Sequence, residues 1–223
     1  MSSPSADPAA SVDAPQGAGA RDLRSGLDRC NRVIARHARY LTRLDAVLGD
    51  GDHGDNLVIG LRAVGELLAE LPETTPPGEM LQAVGHRLVA AVGGASGPLY
   101  GTACIEAGFE AGSAETLDGP ALAAMFRAAA QGLARRGRCQ PGDKTILDTL
   151  APAADAFGRA IDAGETVPTA YSAAIEAGRA GMRSTRDLVA RRGLALRLGD
   201  RSVGHLDPGA VSCLLLLCAL GRR

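Results

Sequence analysis

The feature that most constrains the fold is an unbroken apolar stripe with helical spacing in the first quarter of the chain. Its eight positions follow one another in steps of three and four residues: Leu23, Leu27, Cys30, Ile34, His37, Leu41, Leu44 and Leu48. This spacing places them on one face of an α-helix. The sequence therefore predicts a long amphipathic helix that starts near Arg21 and ends before Gly49.

Seven further helices are predicted from apolar periodicity and from breaks rich in proline and glycine. Their approximate ranges are 55–71, 79–92, a helix that follows 93–102 and ends near 111, 120–136, 144–163, 169–191, and a last helix from 208. Asp207 is a good N-cap for the last helix, which is apolar on every side and is expected to be buried. No segment shows convincing strand alternation. The pattern predicts one all-α domain.

Composition supports closely packed helices and excludes some classes of function. Only 3% of the residues are aromatic and Trp is absent, so the core must be built from Leu, Val, Ile and Ala, which favours helices over a β-sandwich. A net charge of −1 gives no electrostatic reason to expect nucleic acid or an anionic membrane as a partner. The apolar run at 213–220 is too short to span a bilayer.

The chain is expected to be a cytoplasmic protein with a short N-terminal tail. Its five cysteines form no CxxC pair and mostly lie among apolar residues, which is typical of buried, reduced thiols. Residues 1–21 have the composition of a disordered tail and lack the features of a signal or transit peptide. Residues 22–223 form the predicted helical domain.

An acidic, glycine-rich loop follows the first helix. Four aspartates, Asp45, Asp50, Asp52 and Asp55, lie within eleven residues. Carboxylates this close repel one another unless cations neutralise them, and hard oxygen ligands favour magnesium or calcium over zinc. A calcium loop of the EF-hand type is excluded because a count from Asp50 puts Asp55 and Leu61 where Gly and Glu are required. A solvated surface turn is the alternative interpretation.

Two other segments could meet an anion at a helix N-terminus. The range 93–97 contains small residues that let a ligand approach the backbone, and 207–209 opens the last helix. The alternatives are a tight helix crossing and ordinary capping. There is no P-loop at 142–145. In an up-down bundle, the loops after the first, third, fifth and seventh helices share one end, so all the unusual segments are expected at one rim.

Four blocks resemble a known family. They are 44–56 (LDAVLGDGDHGDN), 93–102 (GGASGPLYGT), 141–145 (PGDKT) and 198–210 (LGDRSVGHLDPGA), spread in order over nearly all of 22–223. Together they resemble the nucleotide-binding domain of dihydroxyacetone kinases, most closely the separate L subunit of the bacterial enzyme. The resemblance implies an antiparallel eight-helix barrel with a nucleotide at one rim.

The resemblance also implies the site. Two Mg²⁺ ions would be held by Asp45, Asp50 and Asp52. ADP or ATP would contact His53, Gly54, Asp55, Asn56, Ala95, Ser96, Gly137, Ile146, Asp207, Pro208 and Gly209. One position departs from the family, since Leu194 stands where an arginine is common. That cation is either missing or supplied by Arg191, Arg192 or Arg197.

The implied function is phosphoryl donation to dihydroxyacetone held by a partner K subunit. A phosphotransferase-system M subunit would rephosphorylate bound ADP, or ATP would simply exchange. Another short ketose such as erythrulose, or a sugar alcohol, is an alternative acceptor. Two other classes stay open: a nucleotide-sensing module that binds a transcriptional regulator, and a lipid- or metabolite-binding barrel with a calcium loop. The family suggests a monomer or homodimer.

Overall fold

A computed structural model of the chain describes residues 17–221. Eight α-helices within that range confirm the predicted all-α fold. They are α1 (Ala20–Leu48), α2 (His53–Glu70), α3 (Pro77–Ala91), α4 (Ser96–Ala111), α5 (Gly119–Gly137), α6 (Leu147–Asp162), α7 (Val167–Ser184) and α8 (Pro208–Leu220).

The helices form a closed ring around an apolar interior. Each helix packs against the next along the chain, and α8 closes the ring by packing against α1 as well as α6 and α7. Side chains such as Ile34, Leu41, Met80 and Phe157 are fully excluded from water, so the interior is a packed core. No helix in the described range combines the length and apolarity needed to cross a membrane.

The structure differs from the prediction near the N-terminus. Residues 1–16 of the predicted tail lie outside the described range, but residues 17–21 have defined structure. A two-residue strand, β1 (Ala18–Gly19), pairs antiparallel with β2 (Thr116–Leu117), and α1 begins at Ala20. Two residues are too few for side-chain alternation to reveal a strand, which explains why sequence reasoning missed this pair.

The seventh helix is shorter than predicted. It ends at Ser184 and not at residue 191, and the chain continues through 3₁₀ turns at Thr185–Asp187 and Leu194–Ser202. The sixth helix begins at Leu147 because Lys144, three residues earlier, has a left-handed backbone with φ of 63°. Residues 185–207 therefore form an irregular connection, which we call the α7–α8 segment.

Paired glycines bring α3 and α4 into backbone contact. A Cβ atom at Gly85 would lie 2.6 Å from the carbonyl oxygen of Gly101, and one at Gly101 would lie 2.7 Å from that of Gly85. A second pair, Gly78 and Gly108, lies seven residues from the first pair on each helix. A Cβ atom at Gly108 would lie 2.6 Å from the carbonyl oxygen of Gly78. The two helices can approach this closely only because these positions have no side chain.

We expect Gly85→Ala to lower the free energy of unfolding by about 1–3 kcal/mol, because the added methyl group must push α3 and α4 apart. The matched control is Gly158→Ala in α6, where an added Cβ meets no atom within 4 Å. That change should stabilise the protein by about 0.5–1 kcal/mol by favouring the helix. Urea denaturation measures both, and equal effects would contradict the proposed contact.

Candidate functional site

The acidic loop is organised by the carboxylate of Asp45. Its Oδ2 atom accepts hydrogen bonds from the backbone N–H groups of Gly51, Asp52 and His53 at 3.0, 3.0 and 3.1 Å. These N–H groups lie at the start of α2, where no intrahelical partner is available. An acid in the last turn of α1 is unfavourable for that helix, but here it caps the next one. Gly51 permits the reversal with φ of 78°.

Three carboxylates converge beside this cap. Asp45, Asp50 and Asp52 each offer an oxygen atom, and these atoms lie within 4.8 Å of one another. Asp45 is buried, whereas Asp50 and Asp52 are exposed, so the cluster opens to solvent on one side. The pKa of Asp52 is raised, mainly by desolvation and also by the nearby charges of Asp50 and Asp45. A hydrogen bond with Asn56 opposes this rise. A hard divalent cation fits this all-oxygen donor set.

His53 links three helix N-termini from inside the protein. Its Nδ1 atom is hydrogen-bonded to Ser96 Oγ at 3.0 Å, and its Nε2 atom to Ser212 Oγ at 2.8 Å. The hydroxyl of Tyr100 lies 2.7 Å from Ser212 Oγ. Burial lowers the pKa of His53, which favours the neutral ring with one donor and one acceptor nitrogen. Both ring nitrogens are therefore engaged by the protein itself.

Sequence reasoning missed Ser212 and Tyr100. Each nevertheless carried a signal. Ser212 is a hydroxyl within a helix that is otherwise apolar, and Tyr100 is an aromatic residue inside the small-residue block 93–102 of a chain with few aromatics. A polar group placed in such surroundings needs a buried partner.

The predicted phosphate-facing segments meet at the same rim. The side chain of Asn56, in the first turn of α2, lies beside Gly93, where an added Cβ would be 3.0 Å from Asn56 Oδ1. Gly94 has φ of 64° and open space around its Cβ position, so a ligand can reach its backbone. Ala95 is the N-cap of α4, which starts at Ser96. The first N–H groups of α2, α4 and α8 are thus grouped around the acidic loop.

The remaining predicted contacts flank this group. Ile146 packs against Gly209, where an added Cβ would lie 2.6 Å from Ile146 Cγ1. Gly137 lies next to Leu99, because a Cβ atom added at Gly137 would be 3.1 Å from Leu99 Cδ2. Gly54 and Pro208 are buried in the first turns of α2 and α8, and Asp55 is exposed on the first turn of α2.

Asp207 caps helix α8 and has a raised pKa. Its Oδ2 atom accepts the N–H of Ala210 at 2.7 Å, which makes it the N-cap of α8 as predicted. Burial raises the pKa of Asp207 to about 7, and the charges of Asp148 and Asp45 act in the same direction. The hydrogen bond from Ala210 and the charge of Lys144 oppose that rise.

The arginines near Leu194 are not equivalent. Leu194 itself is 41% exposed at the start of the second 3₁₀ turn. The Nε atom of Arg192 donates to Asp143 Oδ2 at 3.2 Å, so this guanidinium is already engaged with the loop after α5. Arg191 and Arg197 are exposed on the same segment.

Comparison with known proteins identifies relatives over most of the chain. The DAK2 domain family matches residues 47–222. The chain is 38% identical over 191 residues to the PEP-dependent dihydroxyacetone kinase, ADP-binding subunit DhaL, of Escherichia coli (strain K12), a match that covers 86% of this chain and 90% of that subunit. It is also 38% identical over 203 residues to the D-erythrulose kinase of Mycolicibacterium smegmatis, covering 91% of this chain but 35% of that enzyme.

A solved structure has a similar fold. The dihydroxyacetone kinase from C. freundii in complex with AMP-PNP and Mg²⁺ matches with a TM-score of 0.68. The match covers 99% of this chain and 37% of that kinase, so this chain spans little more than a third of it. At 23% identity, the similarity shows a shared fold alone.

We expect Asp45→Ala, measured without divalent metal, to lower the free energy of unfolding by about 1–3 kcal/mol, because three N–H groups lose their charged acceptor. Asp50→Ala is the matched change in the same cluster. Asp50 is exposed, so its loss should shift stability by no more than about 0.5 kcal/mol. Urea denaturation with a chelator present tests this, and equal losses would refute the capping role of Asp45.

Proposed function

The chain belongs to the DAK2 domain family, and from that membership we propose that it is the nucleotide-binding, phosphoryl-donor subunit of a dihydroxyacetone kinase. The observation that carries the proposal is the position of three convergent carboxylates beside three helix N-termini at one rim. Carboxylates hold Mg²⁺, and helix N-termini bind phosphate, so this combination suits a magnesium-bound nucleotide.

In this proposal Asp45, Asp50 and Asp52 hold two Mg²⁺ ions. When bound, the metal would offset the negative charge of the phosphoryl group during transfer. The protein's own part is to orient and bind. Asp45 keeps the loop in place through its three backbone hydrogen bonds, while Asp50 and Asp52 face solvent from the open side of the cluster.

The nucleotide is proposed to lie across the rim. Phosphate oxygens would accept hydrogen bonds from the N–H groups of Gly54 and Asp55 in α2, Ala95 and Ser96 at the start of α4, and Gly209 in α8. The N–H groups of His53, Asn56 and Asp207 already donate within the protein, and Pro208 has none, so these four residues would line the site. Gly137 and Ile146 would lie near the base or sugar. Because both nitrogens of His53 are engaged with serines, its ring would hold the site in shape rather than bind the nucleotide. Leu194 leaves the family's common arginine contact to Arg191 or Arg197, since Arg192 is paired with Asp143.

The acceptor is proposed to be dihydroxyacetone bound to a separate K subunit that docks at the rim. The match to 90% of the Escherichia coli ADP-binding subunit supports a stand-alone donor subunit. The PEP-dependent relatives support ADP as a resident cofactor, rephosphorylated by an M subunit of the phosphotransferase system. The proposed compartment is the cytoplasm, in keeping with thiols such as Cys30 and Cys213, whose pKa burial raises to about 12.

A second candidate acceptor is erythrulose. The similarity to the Mycolicibacterium smegmatis D-erythrulose kinase is as high, at 38%, as that to the dihydroxyacetone kinase subunit. The donor chemistry would be the same in both cases. The acceptor would then be decided by the partner, because the ketose would bind there.

We expect Asp50→Asn to weaken magnesium-dependent ADP binding by more than about tenfold, because a neutral amide replaces one anionic ligand. Asp28→Asn is the control, since Asp28 is exposed near the opposite end of α1. Isothermal titration calorimetry with and without Mg²⁺ measures affinity, and circular dichroism should show unchanged helicity. Binding that survives in the Asp50 variant would disprove the metal assignment.

We expect the isolated chain to phosphorylate little triose, because the acceptor site would belong to the partner. Adding a K subunit, a phosphotransferase-system donor and dihydroxyacetone should yield dihydroxyacetone phosphate, with erythrulose tested in parallel. Denaturing natively purified protein should also release close to one ADP, identified by anion-exchange chromatography. Robust triose phosphorylation by the chain alone would contradict the two-part active site.

A further inference from the structure

The block 141–145 contains a buried cation that the nucleotide contacts leave unused. Lys144 is 2% exposed, and it adopts the left-handed φ of 63° that lysine rarely takes. Its Nζ atom donates to the backbone carbonyl oxygens of Thr185, Leu188 and His205, at 2.5, 3.2 and 2.6 Å. An ammonium has three donors, and each has an acceptor here.

The three carbonyls belong to the two ends of the α7–α8 segment. Thr185 and Leu188 lie where α7 stops, and His205 lies just before α8 begins. Lys144 therefore ties the two ends of this segment to the loop before α6. The segment also contacts that loop through its backbone, since the N–H of Arg191 donates to the carbonyl of Asp143 at 3.1 Å.

A second link connects this cluster to the rim. The Oγ1 atom of Thr185 accepts the backbone N–H of Asp207 at 3.1 Å. Asp207 is the N-cap of α8, and its side chain holds the N–H of Ala210. Thr185, whose own carbonyl is held by Lys144, thus helps to position the first turn of α8. The hydroxyl of Thr149 in α6 also contributes, by donating to the carbonyl of Ala210 at 2.9 Å.

The α7–α8 segment has few buried apolar side chains with which to hold its shape. Its two ends are also joined by a backbone hydrogen bond from the N–H of Gly204 to the carbonyl of Arg186 at 2.7 Å, and Arg192 binds Asp143. The segment contains two 3₁₀ turns separated by extended residues, and apolar side chains such as Leu194, Leu196 and Val203 are exposed rather than packed. The hydroxyl of Ser202 binds the segment to itself, by accepting the N–H of Ala190 and donating to the carbonyl of Gly199. Contacts to the barrel therefore matter strongly for where the segment sits.

We propose that Lys144 is a positioning residue of the nucleotide site: its ammonium fixes both ends of the α7–α8 segment and thereby sets the first turn of α8 at the rim. It acts through Thr185 and Asp207 and does not contact the nucleotide. This inference rests on the proposed function. Lysine suits the position because three carbonyls surround one point, which matches a compact ammonium better than a planar guanidinium.

Arg24 provides a matched control at the opposite end of the barrel. Its guanidinium donates to the carbonyl oxygens of Leu68, Leu71 and Pro72, at the C-terminus of α2. It is thus also a cation bound by three backbone carbonyls. It differs from Lys144 in lying away from the acidic loop, because α2 begins at that loop and ends at the other rim.

The test compares Lys144→Met and Arg24→Met in the full chain, below the melting temperature of both variants. Hydrogen exchange on the nucleotide-free proteins should show amides of the α7–α8 segment exchanging about tenfold faster in Lys144→Met only. Titration with ADP and Mg²⁺ should show the dissociation constant rising about tenfold or more in Lys144→Met, with less than about a twofold change in Arg24→Met.

Each outcome decides a separate point. Wild-type binding with unchanged affinity in Lys144→Met would overturn the positioning role and leave the proposed function standing. No binding of Mg-ADP by the wild-type chain would overturn the proposed function, and the positioning role with it. If Lys144→Met does not fold, Thr185→Val replaces it. That change keeps the Thr185 carbonyl but removes two hydrogen bonds of Oγ1, the one accepted from the N–H of Asp207 and the one donated to the carbonyl of Met182. It should also weaken ADP binding several-fold, whereas unchanged affinity would overturn the proposal.

Discussion

The hydrogen bonds of the His53 imidazole are the interaction on which the rest of the rim depends. One nitrogen binds Ser96 at the start of α4, and the other binds Ser212 in the second turn of α8. His53 itself is the first residue of α2. Because the ring is buried and hydrogen-bonded through both nitrogens, one side chain connects α2, α4 and α8 near their starts. Asp45 then attaches the acidic loop to the same point by holding the N–H of His53.

Much of this architecture could be predicted from the sequence, because helices leave a periodic signal. The stripe from Leu23 to Leu48 predicted α1 almost to the residue, and Asp207-Pro208 marked the start of α8. The aspartate cluster was also predictable, since charge repulsion makes such a loop costly without a shared role. These features lie in short stretches of chain, where spacing alone constrains geometry.

Other features were hidden because their partners are backbone atoms far away in the sequence. Lys144 binds carbonyls 41 to 61 residues away, and a carbonyl has no residue type that a pattern could detect. The early end of α7 was hidden for a related reason, since two of these carbonyls, those of Thr185 and Leu188, follow directly after its last residue, Ser184. The glycines of α3 and α4 were visible one by one, but their pairing depends on how the two helices align.

The glycine contacts between α3 and α4 also determine which parts of the rim can adapt. The two contacts lie seven residues apart on each helix and fix the axial alignment of α3 and α4. The position of Ser96 along the helix axis is therefore fixed as well. Under the proposed function, changes of nucleotide preference would then have to arise elsewhere at the rim, beside Gly137 and Ile146 or in the α7–α8 segment. That segment tolerates substitution because its side chains are largely exposed. Under the proposed function, the barrel would hold the phosphate end of the nucleotide in place, and the exposed segment would be left to contact the groups attached to it.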